Sequence, residues 1–431
     1  MAFCLPAAAQ WSVQSFGSGL LTNVFEVKVG DARNDGTNRV YVSERNGRVI
    51  EWTYTGAGWT NTLVARYVTN LALVAIGDVR GDGTNRLYYT EFKTNGALHE
   101  VRWTGSAWAT SVVDNTYQSL CLFAGAGRND GVKHLYVGTS GNASHLGQGL
   151  WEYTYTTGVW SKVCLHTNDM EGSDAVGDLC NDGTNRVLAN TSVLDSYKWA
   201  GTNYMTAAID HRAVGPDPTD IGKVHNDGRT CVVVNTSTGR LEYVYSGGAW
   251  VTNRIDVTGK RGDILVARLK SDGLRRVYST YTTSKGPVRE FTWDAGSGTY
   301  LTGIVVDAVS GATAKLAAGD GRNDGVARLY APNYAGGSVL EITSTNPFVY
   351  PVPRSDLSLA GLACTNGSPV LAITNMTAAC DYTVERLPDL AGAWSNAAAA
   401  FTANASATNW ADAQASGRAF YRVVGRAGEP R

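Results

Sequence analysis

Short stretches in which apolar and polar residues alternate follow one another along most of the chain, separated by turns rich in Gly and Asn. In the first group these stretches are Phe25–Gly30, Arg39–Ser43, Val49–Tyr54 and Trp59–Ala65. Val, Ile, Tyr, Trp and Thr dominate them, which is typical of β-strands joined by hairpins. No stretch sustains the 3.6-residue apolar period of a helix. The pattern therefore predicts an all-β protein.

The same four-strand group recurs along the chain, and a polar loop built around Asp-Gly marks each copy. The aspartates of these pairs are Asp35, Asp82, Asp130, Asp182, Asp227, Asp272 and Asp324. Their successive spacings are 47, 48, 52, 45, 45 and 52 residues. A nearly fixed period with four strands in each unit is typical of the blades of a β-propeller. The sequence therefore predicts a seven-bladed β-propeller.

The seventh unit lacks a fourth strand. Its predicted strands are Ala314–Ala318, Arg328–Pro332 and Ser338–Thr343, after which the pattern stops. An isolated stretch, Trp11–Phe16, precedes the first unit and opens on an aromatic residue, as the fourth strands do. The aromatic residues at that position are Trp11, Trp59, Trp108, Trp160, Tyr204, Trp250 and Tyr300. We therefore expect the N-terminal strand to complete blade seven and close the ring without an exposed edge.

Both ends of the chain depart from the repeat. Residues 1–9 are apolar and end in three alanines, so we interpret them as a signal-peptide remnant and expect a secreted protein, extracellular or periplasmic. The propeller should span residues 10–346, followed by a Pro-rich linker at 347–354. Residues 355–431 alternate around Tyr382 and Phe420 and predict a small β-sandwich accessory domain. That domain resembles the fibronectin-III-like modules of secreted bacterial proteins.

Charge and hydropathy exclude several classes of partner. The net charge is −1, and no basic patch stands out, which argues against a nucleic-acid partner. No apolar run approaches the ~20 residues that span a bilayer, so we expect no membrane insertion. The chain also lacks a Gly-x-Ser-x-Gly elbow in a strand–turn–helix context, a phosphate-binding loop and a Cys-x-x-Cys pair.

The Asp-Gly loops resemble the FG-GAP/VCBS repeat of extracellular propellers, such as integrin heads and certain fungal lectins. Members of that family bind calcium through oxygen ligands at loop positions 1, 3, 5 and 9. Position 3 here is Arg33, Arg80, Arg128, Cys180, His225, Lys270 and Arg322. Position 9 is Arg39, Arg86, His134, Arg186, Cys231, Arg276 and Arg328. Because a guanidinium repels a hard cation, we expect no calcium and no other cofactor, with arginines serving as counter-charges for the loop aspartates.

A glutamate recurs in the third strand of every unit except the fourth, where Ser196 replaces it. The glutamates are Glu51, Glu100, Glu152, Glu242, Glu290 and Glu341, and aromatic residues alternate with them. One interpretation is a ring of sugar pockets, because aromatic faces and carboxylates suit sugars. The other is packing between blades, repeated because the fold repeats. We favour the second, since propeller blades bury both faces of their sheets.

Units three and four carry longer polar connections than the template. The residues that stand out there are Asn142, Ser144, His145, Gln148, His166, Asp169, Glu171, His211 and Arg212. In a propeller, the hairpin between strands two and three and the connections between blades emerge on one face. We therefore predict a ligand-binding site in this sector, although polar loops also lie on surfaces without binding anything.

Two chemistries could use this sector. Uronate β-elimination needs a base, an acid and a cation for the sugar carboxylate. By analogy with ulvan lyases that are seven-bladed propellers, His145 would be the base, with His211 or Tyr204 assisting and Arg212 neutralising. A metal site from His145, His166, His211 and Asp169 is the weaker hypothesis, because these residues lack tight ligand spacing.

The function we predict is that of a secreted, lectin-like carbohydrate-binding propeller without catalysis, whose partner is an extracellular glycan or polysaccharide. The alternative is a polysaccharide lyase that acts on uronic-acid glycans by β-elimination. A further alternative is a protein-binding or structural ring.

The cysteines give a last set of expectations. Cys180 and Cys231 replace loop arginines in adjacent units, so we predict a disulfide between them in a secreted chain. Cys364 and Cys380 would form a second pair in the small domain. Cys121 and Cys164 belong to the innermost and outermost strands of one blade and should remain buried thiols.

Overall fold

The structure is a computed structural model that describes most of the propeller and the strands of the C-terminal region. The described residues are 10–66, 72–91, 96–116, 119–139, 149–167, 175–190, 193–210, 219–236, 239–257, 262–280, 286–309, 315–333, 336–350, 358–365, 368–374, 381–387, 395–396, 401–402, 407–411 and 420–426. Two compact units are present, Met1–Phe348 and Val349–Arg431. Among the described residues, no helix is long and apolar enough to cross a membrane.

The first unit contains seven four-stranded antiparallel sheets, as the repeat predicts. Blades one to three are built from β2 (Val24–Gly30), β3 (Arg39–Glu44), β4 (Arg48–Tyr54), β5 (Trp59–Arg66), β6 (Ala72–Gly77), β7 (Arg86–Glu91), β8 (Gly96–Trp103), β9 (Trp108–Thr116), β10 (Ser119–Gly125), β11 (His134–Thr139), β12 (Gly149–Thr156) and β13 (Val159–His166). Within each blade the strands pair in chain order, from the innermost to the outermost.

Blades four to six follow the same order. Their strands are β14 (Val176–Gly177), β15 (Arg186–Asn190), β16 (Leu194–Trp199), β17 (Tyr204–Asp210), β18 (Thr219–Gly222), β19 (Cys231–Thr236), β20 (Gly239–Ser246), β21 (Ala249–Asp256), β22 (Ile264–Ala267), β23 (Arg276–Ser279), β24 (Gly286–Asp294) and β25 (Thr299–Val309). Alternate residues of the middle strands face the two neighbouring blades, so both sheet faces are buried, and Tyr41 and Val42 are each 0% exposed.

Blade seven is completed by the N-terminal strand, which confirms the predicted closure. Its strands are β26 (Ala317–Gly319), β27 (Arg328–Asn333), β28 (Ser338–Ser344) and β1 (Trp11–Phe16). β1 pairs antiparallel with β28, from Trp11 opposite Ser344 to Phe16 opposite Val339. Both aromatic ends are buried, and the Phe16 ring stacks on Trp59 of blade one at 4.4 Å between centroids.

The blades form a closed ring, because blade seven contacts blade one as directly as any other neighbouring pair. Asn323 lies in the left-handed region at φ 60°. Its side-chain Oδ1 accepts from the Asn38 backbone N at 2.6 Å, and its Nδ2 donates to the Asn38 carbonyl at 2.9 Å. Asn34 makes the same pair of bonds to Asn85 of blade two, at 2.6 and 2.9 Å. These side chains tie the Asp-Gly loop of one blade to that of the next.

The ring has two faces with different kinds of connection. We call the face that carries the Asp-Gly loops and the turns between third and fourth strands the loop face. The hairpin face is the opposite one, with the hairpins between second and third strands and the connections from blade to blade. Because the strands are antiparallel, every fourth strand starts on the loop face and ends on the hairpin face.

The predicted disulfide between Cys180 and Cys231 is wrong, since both are free thiols. Cys231 is the first residue of β19 and is fully buried inside blade five, with its thiol beside Glu242. Cys180 is half-buried in its loop in blade four, near Arg186 and Lys198. Replacement of an arginine in each of two adjacent loops therefore did not bring the two sulfurs together.

Cys121 on β10 is a free, buried thiol, which agrees with the prediction. Cys164 on β13 is also free but is half-buried and not fully buried as predicted. Cys380 lies outside the described residues, so its pairing with Cys364 remains a prediction.

After blade seven the chain stays attached to the propeller as far as Phe348. The Phe348 backbone N donates to the Leu269 carbonyl, and its own carbonyl accepts from the Ala327 N. The second unit is also made of strands: β29 (Ser358–Thr365), β30 (Ser368–Thr374), β31 (Asp381–Leu387), β32 (Ser395–Asn396), β33 (Phe401–Thr402), β34 (Ala407–Ala411) and β35 (Phe420–Arg426). β30 pairs with β29 and β34, and β31 pairs with β32, β33 and β35. The packing of these sheets into a sandwich remains a prediction.

Candidate functional site

On the loop face, the position-9 arginine neutralises the Asp-Gly aspartate of its own loop, as predicted. In blade one, Arg39 donates two hydrogen bonds to Asp35, at 2.9 and 2.6 Å. Those bonds lower the pKa of Asp35 from 3.8 to about 2. The same pair recurs as Arg86–Asp82, Arg186–Asp182, Arg276–Asp272 and Arg328–Asp324, and His134 takes the arginine's place beside Asp130.

The position-3 arginine has a different partner from the loop aspartate that the sequence predicts. Arg33 pairs with the third-strand glutamate Glu51, through Nε at 2.9 Å and Nη2 at 2.5 Å, and not with a loop aspartate. The equivalent pairs are Arg80–Glu100, Arg128–Glu152, Lys270–Glu290 and Arg322–Glu341. The expectation that both arginines serve the loop aspartates is therefore wrong for position 3, because the side chain reaches inward to the buried carboxylate.

Aromatic side chains complete this cluster, which we call the blade junction. The Tyr41 hydroxyl lies 3.1 Å from Glu51, and burial raises the pKa of Tyr41 well above its ordinary value. The Arg33 guanidinium stacks on Trp103 of the next blade, 3.7 Å from the ring centroid. The six third-strand glutamates are between 0% and 6% exposed. Arg33 thus already occupies both the Glu51 carboxylate and the Trp103 ring face. This supports the packing interpretation over a ring of sugar pockets.

In two blades, residues of this junction are replaced by other types. Blade four lacks the cation and the carboxylate together, with Cys180 and Ser196 in their places. Blade five keeps the carboxylate, Glu242, but has His225 and Cys231 at the two arginine positions. The loss of both arginines from this one loop is visible in the sequence, but the disulfide prediction considered only Cys231, as a partner of Cys180.

On the hairpin face, most of the predicted site lies outside the described residues. This applies to Asn142, Ser144, His145, Gln148, Asp169, Glu171, His211 and Arg212. The strand ends that flank these segments are described, and all of them lie on the hairpin face. Thr139 and Gly149 pair at the base of the long hairpin, and Asp210 ends β17 opposite Leu194.

His166 is the one member of the predicted binding set that is described. It ends β13, where it pairs with Leu150 at the base of the long hairpin. Its Nδ1 lies 2.7 Å from the Tyr197 hydroxyl of blade four. Its Nε2 is buried and has no hydrogen-bond partner among the described residues. Burial lowers the pKa of His166, while the nearby Asp195 carboxylate opposes this shift, so the imidazole is neutral at neutral pH.

The contact between Tyr197 and His166 is compatible with two tautomers of the imidazole. Burial raises the pKa of Tyr197, so the phenol stays protonated and can donate to Nδ1, in which case the neutral imidazole carries its hydrogen on Nε2. The phenol oxygen can also accept from an Nδ1–H, in which case Nε2 is an acceptor. In both tautomers Nε2 is a buried polar atom without a partner among the described residues, where blades three and four meet on the hairpin face.

Tyr204 lies on the opposite face of the ring from His166. It starts β17 on the loop face, whereas the connection that carries His211 and Arg212 follows Asp210 at the other end of the strand. A strand of that length places the two ends roughly 20 Å apart. The Tyr204 hydroxyl instead hydrogen bonds to Glu152 in the junction of blades three and four. Tyr204 therefore lies at the opposite end of its strand from the connection that carries His211 and Arg212, while His145, His211 and Arg212 lie outside the described residues, so a catalytic role for them remains a prediction.

Comparison with known proteins does not identify a family for this chain. No family profile matches the sequence, and no curated protein matches it. One solved structure that aligns with the chain is that of AofleA from Arthrobotrys oligospora. The alignment covers 69% of this chain and 90% of that chain, at 15% identity and a TM-score of 0.40. A similarity at this level gives no information about function. The seven-bladed fold is established by the strand pairing itself.

Proposed function

We propose that this protein is a glycan-binding propeller whose site lies on the hairpin face where blades three and four meet. The single observation that carries the proposal is the buried, unpartnered Nε2 of His166. An unpaired buried polar atom is costly, and a ligand that supplies its hydrogen-bond partner would remove that cost. Sugar hydroxyls both donate and accept, so they can pair with either tautomer of the imidazole.

The sequence around His166 supports a polar ligand. The adjacent long hairpin contributes Asn142, Ser144 and Gln148, whose side chains both donate and accept, as sugar hydroxyls require. The connections that follow blades three and four add carboxylates and Arg212. The loop face offers no comparable set among its described side chains, because its repeated third-strand glutamates, apart from Glu242, are already paired with lysine or arginine.

A glycan array with the full-length protein tests the proposal. Wild-type protein should bind a restricted set of oligosaccharides, and His166→Ala should weaken that binding by at least about tenfold, the equivalent of one good hydrogen bond. Ser161→Ala, on the exposed part of the same strand, is the matched control and should bind like wild type. Binding that survives in His166→Ala would remove the histidine from the site. No binding to any glycan would reject the proposal.

Polysaccharide lyase activity and protein binding are separate outcomes of the same work. Incubation with uronic-acid polysaccharides, followed by absorbance of unsaturated products, distinguishes a lyase from a lectin. A product formed by wild type and lost in His145→Ala would replace the binding proposal with catalysis. The proposal also includes secretion and a fibronectin-III-like role for the C-terminal unit as an accessory module, and these are supported by the sequence alone.

A further inference from the structure

The junction of blade five differs from the others in the charge around its buried glutamate. In blade one, Glu51 contacts two guanidinium groups, Arg33 at 2.5 Å and Arg39 at 3.7 Å. Glu290 of blade six likewise contacts Lys270 and Arg276. In blade five both positions have lost their permanent cation, because His225 and Cys231 occupy them.

The carboxylate that remains is fully buried. Glu242 is 0% exposed, and none of the described lysines or arginines forms an ion pair with it. Arg229 of the same loop pairs instead with Asp227, at 2.6 Å. A buried carboxylate without a cation is strongly disfavoured. Among the described neighbours of Glu242, only a protonated His225 would supply positive charge, and a bound cation would supply it when the imidazole is neutral.

Three side chains of different chemistry converge at this point. The His225 Nε2 lies 2.9 Å from Oε2 of Glu242, and the Cys231 sulfur lies in the same cluster. The three candidate ligand atoms are all within 4.8 Å of one another. A tetrahedral zinc ion with bonds of about 2.0–2.3 Å holds its ligand atoms roughly 3.3–3.8 Å apart, so small side-chain rotations suffice.

Surrounding residues hold these groups in place. The His225 ring stacks on Trp293 of blade six, with centroids 3.9 Å apart and planes inclined by 12°. The Asn253 Nδ2 donates to Oε2 of Glu242 at 3.1 Å. The other carboxylate oxygen, Oε1, is buried and accepts no hydrogen bond of normal geometry from the described residues, and the buried Tyr300 hydroxyl lies beside the same carboxylate. The Tyr300 oxygen is thus close to the three candidate ligands.

We propose that His225, Cys231 and Glu242 bind one zinc ion, which replaces the pair of cationic side chains of the other blades. Imidazole, thiolate and carboxylate together suit borderline-soft Zn²⁺, whereas calcium and magnesium require oxygen ligands. His225 and Cys231 stand at loop positions 3 and 9, where the family that the loops resemble has calcium ligands. The site differs from a calcium site because its third ligand, Glu242, comes from the third strand and because imidazole and thiolate replace two of the oxygen ligands. The fourth position would hold water or the Tyr300 hydroxyl.

Metal titration of the full-length protein, stripped with a chelator, tests this proposal. Calorimetry with zinc should give one ion per chain, and zinc should raise the melting temperature. Cobalt in place of zinc should give the visible bands of tetrahedral coordination and a thiolate charge-transfer band. Cys231→Ala should weaken zinc binding by more than about 100-fold, exceeding the loss typical of second-shell changes. Cys180→Ala, which removes a loop thiol in blade four, should bind like wild type.

A second variant keeps the test decisive if Cys231→Ala does not fold. His225→Arg combined with Cys231→Arg rebuilds the junction of blade one, and Asp227 is present to receive the second arginine. This variant should fold, melt independently of zinc and give no cobalt spectrum. Absence of zinc binding by wild type would overturn the proposal. So would zinc binding that persists in the double-arginine variant, because the metal would then lie elsewhere.

Discussion

The two faces of the ring are built by opposite rules. On the loop face the same residue types recur in most blades, and their charged groups pair with opposite charges, as Arg39 does with Asp35 and Arg33 with Glu51. On the hairpin face the connections differ in length and composition, and the His166 Nε2 has no partner among the described residues. Repetition therefore marks structure in this protein, and departure from the repeat marks the candidate sites.

The same lesson applies within the loop face. Blade four loses cation and carboxylate together, so no unpaired charge remains in its junction. Blade five keeps Glu242 and loses both cations, which leaves a buried charge to be neutralised. Only the second kind of departure needs a ligand.

Removal of the closing strand should have the largest effect on the ring. Deletion of residues 10–17 exposes the edge of β28 and removes Trp11 and Phe16 from the core, where both are less than 10% exposed. Loss of a buried aromatic residue costs about 3–5 kcal/mol, and two such losses approach the whole stability of a domain. We expect aggregation or a non-cooperative thermal transition by calorimetry.

A matched control for this deletion lies on the same strand. Val13 is 42% exposed, so Val13→Ala should change the unfolding free energy by no more than about 0.5 kcal/mol. If the truncated protein melts as cooperatively as the full chain, β1 does not hold the ring closed.

This closure could be predicted from the sequence because it depends on periodicity. An aromatic residue opens each fourth strand, and Trp11 supplied the copy that blade seven lacks. The blades, their order and their strand ends follow from the same period. The pairing of Asp35 with Arg39 was also predictable, since the two residues are four apart in a short loop.

Side-chain direction was not predictable in the same way. Alignment of the loops places Cys180 and Cys231 on one face, but it does not tell that Cys231 points into its own blade, towards Glu242. Alignment also does not tell that Arg33 reaches the third strand. The connections on the hairpin face do not repeat from blade to blade, so the period does not place their residues. A residue such as Tyr204 could therefore be assigned to the wrong end of its blade.

The blade junction should give the next largest effect. Glu51→Ser leaves Arg33 without its carboxylate partner and removes the acceptor of the buried Tyr41 hydroxyl, so it should destabilise the fold by about 3–5 kcal/mol. Adding Arg33→Cys copies the natural junction of blade four and should recover part of that loss. Chemical denaturation of both single variants and the double variant measures the coupling. Strict additivity would mean that the two side chains act independently.

Acid should have a smaller, graded effect that comes from the Asp-Gly aspartates. The hydrogen bonds from Arg39 and Arg86 lower the pKa of Asp35 and Asp82 to about 2, below the ordinary 3.8. Because the folded-state pKa is lowered, this stabilisation is complete above the unfolded-state pKa and is lost as the pH falls through 2. Each aspartate is nearly half exposed, so solvent screening limits each pair to about 1 kcal/mol or less.

The measurement for this effect is the melting temperature between pH 7 and pH 2. It should hold steady to about pH 5 and then fall, and Asp35→Asn should fall less steeply than wild type. Identical slopes for the two proteins would show that this loop pair contributes nothing to acid stability.

The central claim is that the loop face is structural and the hairpin face of blades three and four binds the ligand. Hydrogen–deuterium exchange, with and without an oligosaccharide selected on the glycan array, tests it most directly. Ligand should slow exchange in peptides that contain His166 and in those that cover 139–150, and it should leave the Asp-Gly loops of blades one and two unchanged. Slower exchange in those loops, with none around His166, would contradict the account.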